Sequence, residues 1–140
     1  MILLDTNVVS EMMREASAPQ VVGWLDAQRG TEVFVPVIAI AEIEYGICRM
    51  AEGRRRERLG SALAELLQIL RGRIVAFDLA AAHVYGRLVA ERMGMGRPIG
   101  LLDAQIAATA RAHEATLATR NTRDFEGLGI SLVNPFEHHP

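Results

Sequence analysis

The chain contains no lysine: all 15 of its basic side chains are arginine. Arginine is the better bidentate partner for phosphate. A complete loss of lysine, however, reads first as GC-rich coding bias, and it says little about function. Net charge is −2, so overall charge supplies no pull toward nucleic acid. Cysteine is nearly absent: Cys48 stands alone, which excludes an internal disulfide and fits a reducing cytoplasm. No apolar run reaches the roughly 18 residues that span a bilayer. No basic stretch precedes the first apolar segment, so neither a membrane span nor a signal peptide is expected. Repeats and low-complexity linkers are missing as well. What remains is a 140-residue chain, 50% hydrophobic and 23% charged, long enough to bury a core. A single globular domain over residues 1–140 is the expectation.

Apolar periodicity divides the chain into short strands and longer helices. Ile2-Leu3-Leu4 reads as a buried strand, followed by a helix over Asn7–Arg14. Ala16-Ser17-Ala18-Pro19 interrupts before a second helix, Gln20–Gln28. Glu32–Val35 is the next strand, with Pro36 at its exit, and Val37–Met50 repeats at helical spacing. Ile40, Ile43 and Ile47 form one stripe there, with Ile38, Ala41, Tyr45 and Cys48 beside it. Arg54–Leu70 is amphipathic, with Leu59, Leu63, Leu66, Leu67 and Leu70 as its apolar stripe. A third strand follows at Ile74–Phe77. Asp78 is placed to cap a helix over Leu79–Met93. After the Gly94–Pro98 loop come a helix over Leu101–Ala112 and strands at Thr116–Thr119 and Ile130–Val133. Strands alternating with helices imply an α/β fold with a parallel sheet covered on both faces. In such sheets, sites form beyond the carboxyl ends of the strands where strand order reverses. That rule gives Asp5 and the segment after Thr119 one address.

Four segments carry acids that could converge there: Asp5 after the first strand, Glu42 in VIAIAEIEYGI, Asp103 in LLDAQIAATA, and Asn121 with Asp124 in LATRNTRDF. Each has a plain structural reading. Asp5 and Asn7 suit a helix cap, and Asp103 suits a helix N-terminus. Asp124 could cap whatever follows Phe125. Glu42 is harder to explain away, because Ala39, Ala41, Ile43 and Gly46 around it suggest a mostly buried helix, where an unpaired carboxylate is costly. Sequence leaves open whether Glu42 or Glu44 points inward. Together the acids would raise one another's pKa values, and a divalent cation would relieve that repulsion.

LLDTNVVSE, the Glu42 helix with Gly46 four residues on, LLDAQIAATA and LATRNTRDF together resemble the PIN-domain family, in order and over nearly the whole chain. The nearest subgroup is the VapC-like toxins of toxin–antitoxin pairs, FitB-like members included. The resemblance implies a three-layer α/β/α fold with a central parallel sheet of four or five short strands. It implies a Mg²⁺-dependent endoribonuclease, with Mn²⁺ able to substitute, that leaves 5′-phosphate and 3′-hydroxyl ends. Asp5 and Asp103 would be the main metal ligands, with Glu42 and Asp124 as further acids that order or deprotonate the attacking water. Thr6, Asn7 and Thr119 would orient carboxylates or waters. Where the family pattern often ends in Thr-x-Asp, this chain has Thr119-Arg120-Asn121, so one acid is replaced by an amide: either Asn121 orients a water or binds through its carbonyl, or Asp124 supplies the missing carboxylate.

Single-stranded RNA is the expected substrate, with Arg120 and Arg123 as the first candidates to grip it. Arg54-Arg55-Arg56 reads better as a solvated helix start. The resemblance further implies a small antitoxin that inhibits the toxin and carries DNA contact for both, and a homodimer. Met12, Met13, Val21, Val22 and Trp24 are expected to be mostly core, with any surplus apolar face suited to a partner. His83 and His113 lack metal-ligand spacing. Two other functions compete. A phosphatase using Asp5 as nucleophile would want a second acid where Asn7 stands. A non-catalytic PIN module that binds RNA or a partner would account for the loss at Asn121.

Overall fold

A computed structural model of the chain describes residues 1–139; the expected domain boundary at residue 140 lies just outside them. Five strands form one sheet: β1 (Ile2–Leu4), β2 (Val33–Pro36), β3 (Ile74–Val75), β4 (Thr116–Ala118) and β5 (Ser131–Val133). All neighbours run parallel, in the order β3-β2-β1-β4-β5. Among the described residues six α-helices accompany them: α1 (Thr6–Met12), α2 (Pro19–Asp26), α3 (Val37–Cys48), α4 (Arg54–Ile69), α5 (Leu79–Gly94) and α6 (Leu101–Ala112). No helix among the described residues is long and apolar enough to cross a membrane.

Successive strand side chains point to opposite faces of a sheet, and this alternation builds the layers. On one face Leu4, Val33, Val35 and Ala118 pack with Val8 and Val9 of α1, Val21 and Trp24 of α2, Ile43 and Ile47 of α3, and Leu63 and Leu66 of α4. On the other, Leu3 and Leu117 meet Leu88 of α5 and Ala104, Ile106 and Ala107 of α6. Ala104, Ala107, Ala108 and Ala110 of α6 are fully buried, and their small side chains let the helix lie close to the sheet. The result is the α/β/α sandwich expected from the sequence, with a five-stranded parallel sheet.

Several boundaries and faces differ from expectation. β3 closes after Val75, because it is an edge strand with only β2 beside it. Phe77 leaves the strand and meets Tyr85 edge-on, ring centroids 6.1 Å apart. In α3 the buried stripe is Ala39, Ile43 and Ile47; Tyr45 and Cys48 are exposed. Met13, Val21 and Trp24 belong to the core and Val22 is exposed, so the first two helices keep little surplus apolar face. Asp78 caps α5 as expected, its Oδ1 accepting the Ala81 N–H at 3.0 Å. A short 3-10 turn at Pro135–Glu137, unforeseen in the sequence, packs the chain end against α2.

The strand order reverses between β1 and β4, which are hydrogen-bonded neighbours. Helices that return a chain to a parallel sheet run antiparallel to its strands, so their N-termini gather at the strands' carboxyl ends. Asp5, the start of α3, the start of α6 and Thr119 therefore face one region.

Candidate active site

Asp5 is the N-cap of α1 and is buried. Its Oδ1 accepts the Thr6 N–H at 2.8 Å. Its Oδ2 accepts the Thr119 hydroxyl at 2.7 Å and the Asn7 Nδ2–H at 3.1 Å. The cap and the site are thus served by different oxygens of one carboxylate. Burial pushes its pKa above the ordinary aspartate value; these three bonds oppose that, and the Asp124 charge adds to the rise. Asn7 also ties the two strand ends together, since its Oδ1 accepts the Arg120 N–H at 3.1 Å.

Glu42 is the inward member of its pair, half-buried one turn into α3, while Glu44 is exposed. Its Oε1 accepts the Thr6 hydroxyl at 3.0 Å. Thr6 and Thr119 thereby hold two different acids, one from each side of the cleft. Burial raises the Glu42 pKa, the Thr6 bond opposes the rise, and the Asp5 charge adds to it.

Asp103 lies in the first turn of α6 and is half-buried. A helix N-terminus should favour its charged form. Instead its pKa is pushed up to about 6, by burial first and then by the charges of Asp5, Glu42 and Asp124. Asp124 is exposed in a 3-10 turn, Thr122–Phe125, that follows β4. Its charge registers on both Asp5 and Asp103, so the structure brings together all four acids named from the sequence.

No salt bridge among the described residues reaches any of these acids. Nor do three acidic, histidine or cysteine side chains close into a ready-made ion cage among those residues. An oxygen-only donor set, in which Asp5, Glu42 and Asp103 have raised pKa values and no salt-bridged cation, is what a hard divalent cation would satisfy. Mg²⁺ commonly takes one or two protein carboxylates and fills the rest of its shell with water and phosphate oxygens. The residues fit that open arrangement and do not fit an all-protein cage.

Residues 2–130 match the PIN domain family. The chain belongs to that family. Among curated relatives, this PIN domain is 41% identical to the VapC ribonuclease Y4jK of Sinorhizobium fredii over 138 residues, covering 98% of this chain and 99% of that protein. It is 36% identical to toxin FitB of Neisseria gonorrhoeae over 137 residues, 97% and 99% of the two chains. Among solved structures, FitAB bound to an IR36 DNA fragment contains a chain that superposes with TM-score 0.89 at 36% identity, covering 100% of both.

Around the four acids, the PIN domain's remaining polar residues divide. Asn121 donates its backbone N–H to the Thr119 hydroxyl at 3.0 Å, but its carboxamide is exposed and makes no hydrogen bond among the described residues. The fourth negative charge near Asp5 and Asp103 is that of Asp124. Arg123 is exposed on the same turn. Arg120, a candidate to grip RNA, has its guanidinium carbon 3.8 Å from the centre of the Phe136 ring. Arg92 does not stand out in the sequence as a functional residue. Buried in α5, it donates Nε–H to the Arg97 carbonyl at 2.8 Å, Nη2–H to the Asp124 carbonyl at 3.0 Å, and Nη1–H to the Glu126 carbonyl at 3.3 Å. It ties the Asp124 turn and the loop before α6 to one helix. The available signal was an arginine four residues after Leu88 on the inner stripe of α5. Beside Glu42, Met13, Ile43, Ile47, Met50 and Leu59 line an apolar groove of about 290 Å³ between α1, α3 and α4.

Proposed function

We propose that this PIN domain is the toxin of a toxin–antitoxin pair, an endoribonuclease that hydrolyses RNA phosphodiester bonds with Mg²⁺ as cofactor, Mn²⁺ substituting. The observation that carries the reading is the uncompensated acid centre. Asp103 is held near pKa 6 by burial and by Asp5, Glu42 and Asp124, at the point where strand order reverses. A bound Mg²⁺ would supply charge relief on the phosphoryl oxygens and a more acidic water. Asp5 and Asp103 are the residues to hold it, with Asp5 kept in one orientation by Thr119, Asn7 and the Thr6 N–H. Glu42, positioned by Thr6, and Asp124, on its anchored turn, are placed to order the water or take its proton. Attack at phosphorus would leave 5′-phosphate and 3′-hydroxyl ends.

The relatives named as a VapC ribonuclease and as toxin FitB support the ribonuclease and toxin assignments. The FitAB structure, solved bound to DNA, supports an antitoxin partner; on this proposal the partner is small and carries the DNA contact. The apolar groove beside Glu42 would suit an amphipathic segment of such an inhibitor. Leu79, Met93, Met95 and Leu101, exposed along α5 and the start of α6, offer the face for a homodimer. The reducing cytoplasm, where RNA is available, is the compartment of this reading.

The test incubates the purified chain with defined single-stranded RNAs in Mg²⁺ or Mn²⁺, with and without EDTA, beside the folded Asp5→Ala protein. Metal-dependent cleavage lost in Asp5→Ala is the expected result. Cleavage that survives the substitution would mean another site or a contaminant. No cleavage across a broad RNA panel, with no metal binding by calorimetry, would leave a partner-binding module.

A further inference from the structure

Arg120 follows Thr119, whose hydroxyl bonds Asp5, so its side chain starts one residue from the acid centre. The backbone there is pinned: the Arg120 N–H donates to Asn7 Oδ1 at 3.1 Å. Its guanidinium rests on the face of Phe136, 3.8 Å from the ring centre. Phe136 is itself fixed, with its N–H donating to Asn134 Oδ1 at 3.0 Å and its ring packed against the core. Yet Arg120 is exposed, and its side-chain N–H groups have no hydrogen bond or salt bridge among the described residues. An arginine held against a ring, with its outer face and donors open, is already ordered for a ligand.

The groove it borders, about 370 Å³, also holds Asn121, Arg123, Asp124, Asn134 and Glu137. Its two arginines are offset by its two carboxylates, and Glu11 also lies within Coulombic reach of Arg120. Such a groove is a poor trap for a bare phosphate. What it offers is a planar cation as a stacking surface and an unbonded carboxamide at Asn121 as an edge reader. Unpaired RNA bases are commonly recognised by stacking on aromatic or guanidinium planes and by hydrogen bonds to their edges.

We infer that Arg120, braced by Phe136, is a nucleobase-stacking platform for a nucleotide flanking the scissile phosphate, and that Asn121 reads the edge of that base. This rests on the RNA-substrate reading above, so its test is a binding experiment kept separate from cleavage. The full chain, in EDTA, is titrated into a single-stranded oligouridylate of about 12 nucleotides, within the range of known single-strand sites, carrying one internal 2-aminopurine. A matched oligomer carries an abasic residue at that position. In the wild type the fluorophore should be quenched on binding, and the abasic oligomer should bind about 5- to 150-fold more weakly, the span of base–aromatic stacking.

Arg120→Met and Phe136→Leu should lose the quench and the discrimination, with folding checked by circular dichroism. Arg120→Lys, which keeps charge but no plane, should lose them too, whereas Arg55→Met on exposed α4 should not. Quenching unchanged in Arg120→Met, full recovery in Arg120→Lys, or no binding of either oligomer would overturn the platform. Adding Mg²⁺ and scoring cleavage separates the two readings. Cleavage without base discrimination removes only the platform, and discrimination without cleavage removes only the nuclease.

Discussion

Asp5 gives one oxygen to the Thr6 N–H and the other to Thr119 and Asn7, so its conformation is settled before any ligand arrives. Thr119→Val keeps the shape and deletes the 2.7 Å bond. Because that bond holds the Asp5 pKa down against burial, the acid limb of the pH–activity profile should move to higher pH, with kcat/KM reduced at neutral pH. An unshifted limb would show that Asp5 does not set it. Asp103 supplies the converse test. Its folded pKa of about 6 exceeds the ordinary aspartate value of 3.8, so the folded state binds this proton more tightly than the unfolded chain. That stabilisation is complete below about pH 4 and is lost as pH rises through about 6. In EDTA, Asp103→Asn should therefore raise the Tm at pH 7 and have little effect at pH 4. The gain should be only a few degrees, since a half-exposed carboxylate is screened by solvent. It should also abolish cleavage. Sequence named both residues, because charged side chains at strand and helix ends stand out against apolar runs. It could not choose between Glu42 and Glu44, which are two residues apart on one helix and differ only in what lies opposite.

Arg92 acts at the scale of elements. Three backbone carbonyls, Arg97 in the loop before α6, Asp124 within its turn and Glu126 just after it, converge on one buried guanidinium with no carboxylate partner among the described residues. Charge-assisted bonds of this kind carry more than neutral ones, and Arg92→Met would leave all three acceptors short of a donor. We expect a loss of about 2–4 kcal/mol in unfolding free energy, with amide exchange rising first at residues 122–126. Arg92→Lys, with fewer donors and no fork, should recover only part of this. Protection at 122–126 unchanged in Arg92→Met would mean the turn is held by Phe125 alone. At the first helix, Glu11 plays a similar part for the α1–α2 connection. Burial alone would raise its pKa, but the Ala18 N–H at 2.8 Å and Arg14 outweigh burial and hold it below the usual value. Its contribution is therefore present at neutral pH and lost as pH falls through that lowered value. Apolar patterning located every strand and every α-helix, although β3 at the sheet edge leaves Ile74 exposed and buries no full stripe. The exposed Tyr45 and Cys48 of α3 show its limit: the stripe's width depends on how much of the helix its neighbours cover.

For the whole molecule, the decisive property is an acid cluster assembled from four distant segments with no salt bridge to any of its acids among the described residues. A divalent ion that binds the folded chain alone stabilises it by mass action, about 2.7 kcal/mol at a hundred times its dissociation constant. Mg²⁺ or Mn²⁺ should accordingly raise the wild-type Tm by several degrees at pH 7, and the shift should vanish in the Asp5→Asn, Asp103→Asn double variant. An equal shift in both proteins would place the ion elsewhere. The sequence by itself determined the α/β alternation, the single buried sheet and the identities of the acids, because these follow from residue type and local period. Only the tertiary structure decided that strand order reverses between β1 and β4, that Asp124 rather than Asn121 supplies the fourth charge, that Arg92 anchors its turn, and that Arg120 lies on Phe136. Those outcomes depend on which segments far apart in the chain are brought into contact, and the physical forces that choose among them act through burial and hydrogen bonds that no local pattern records.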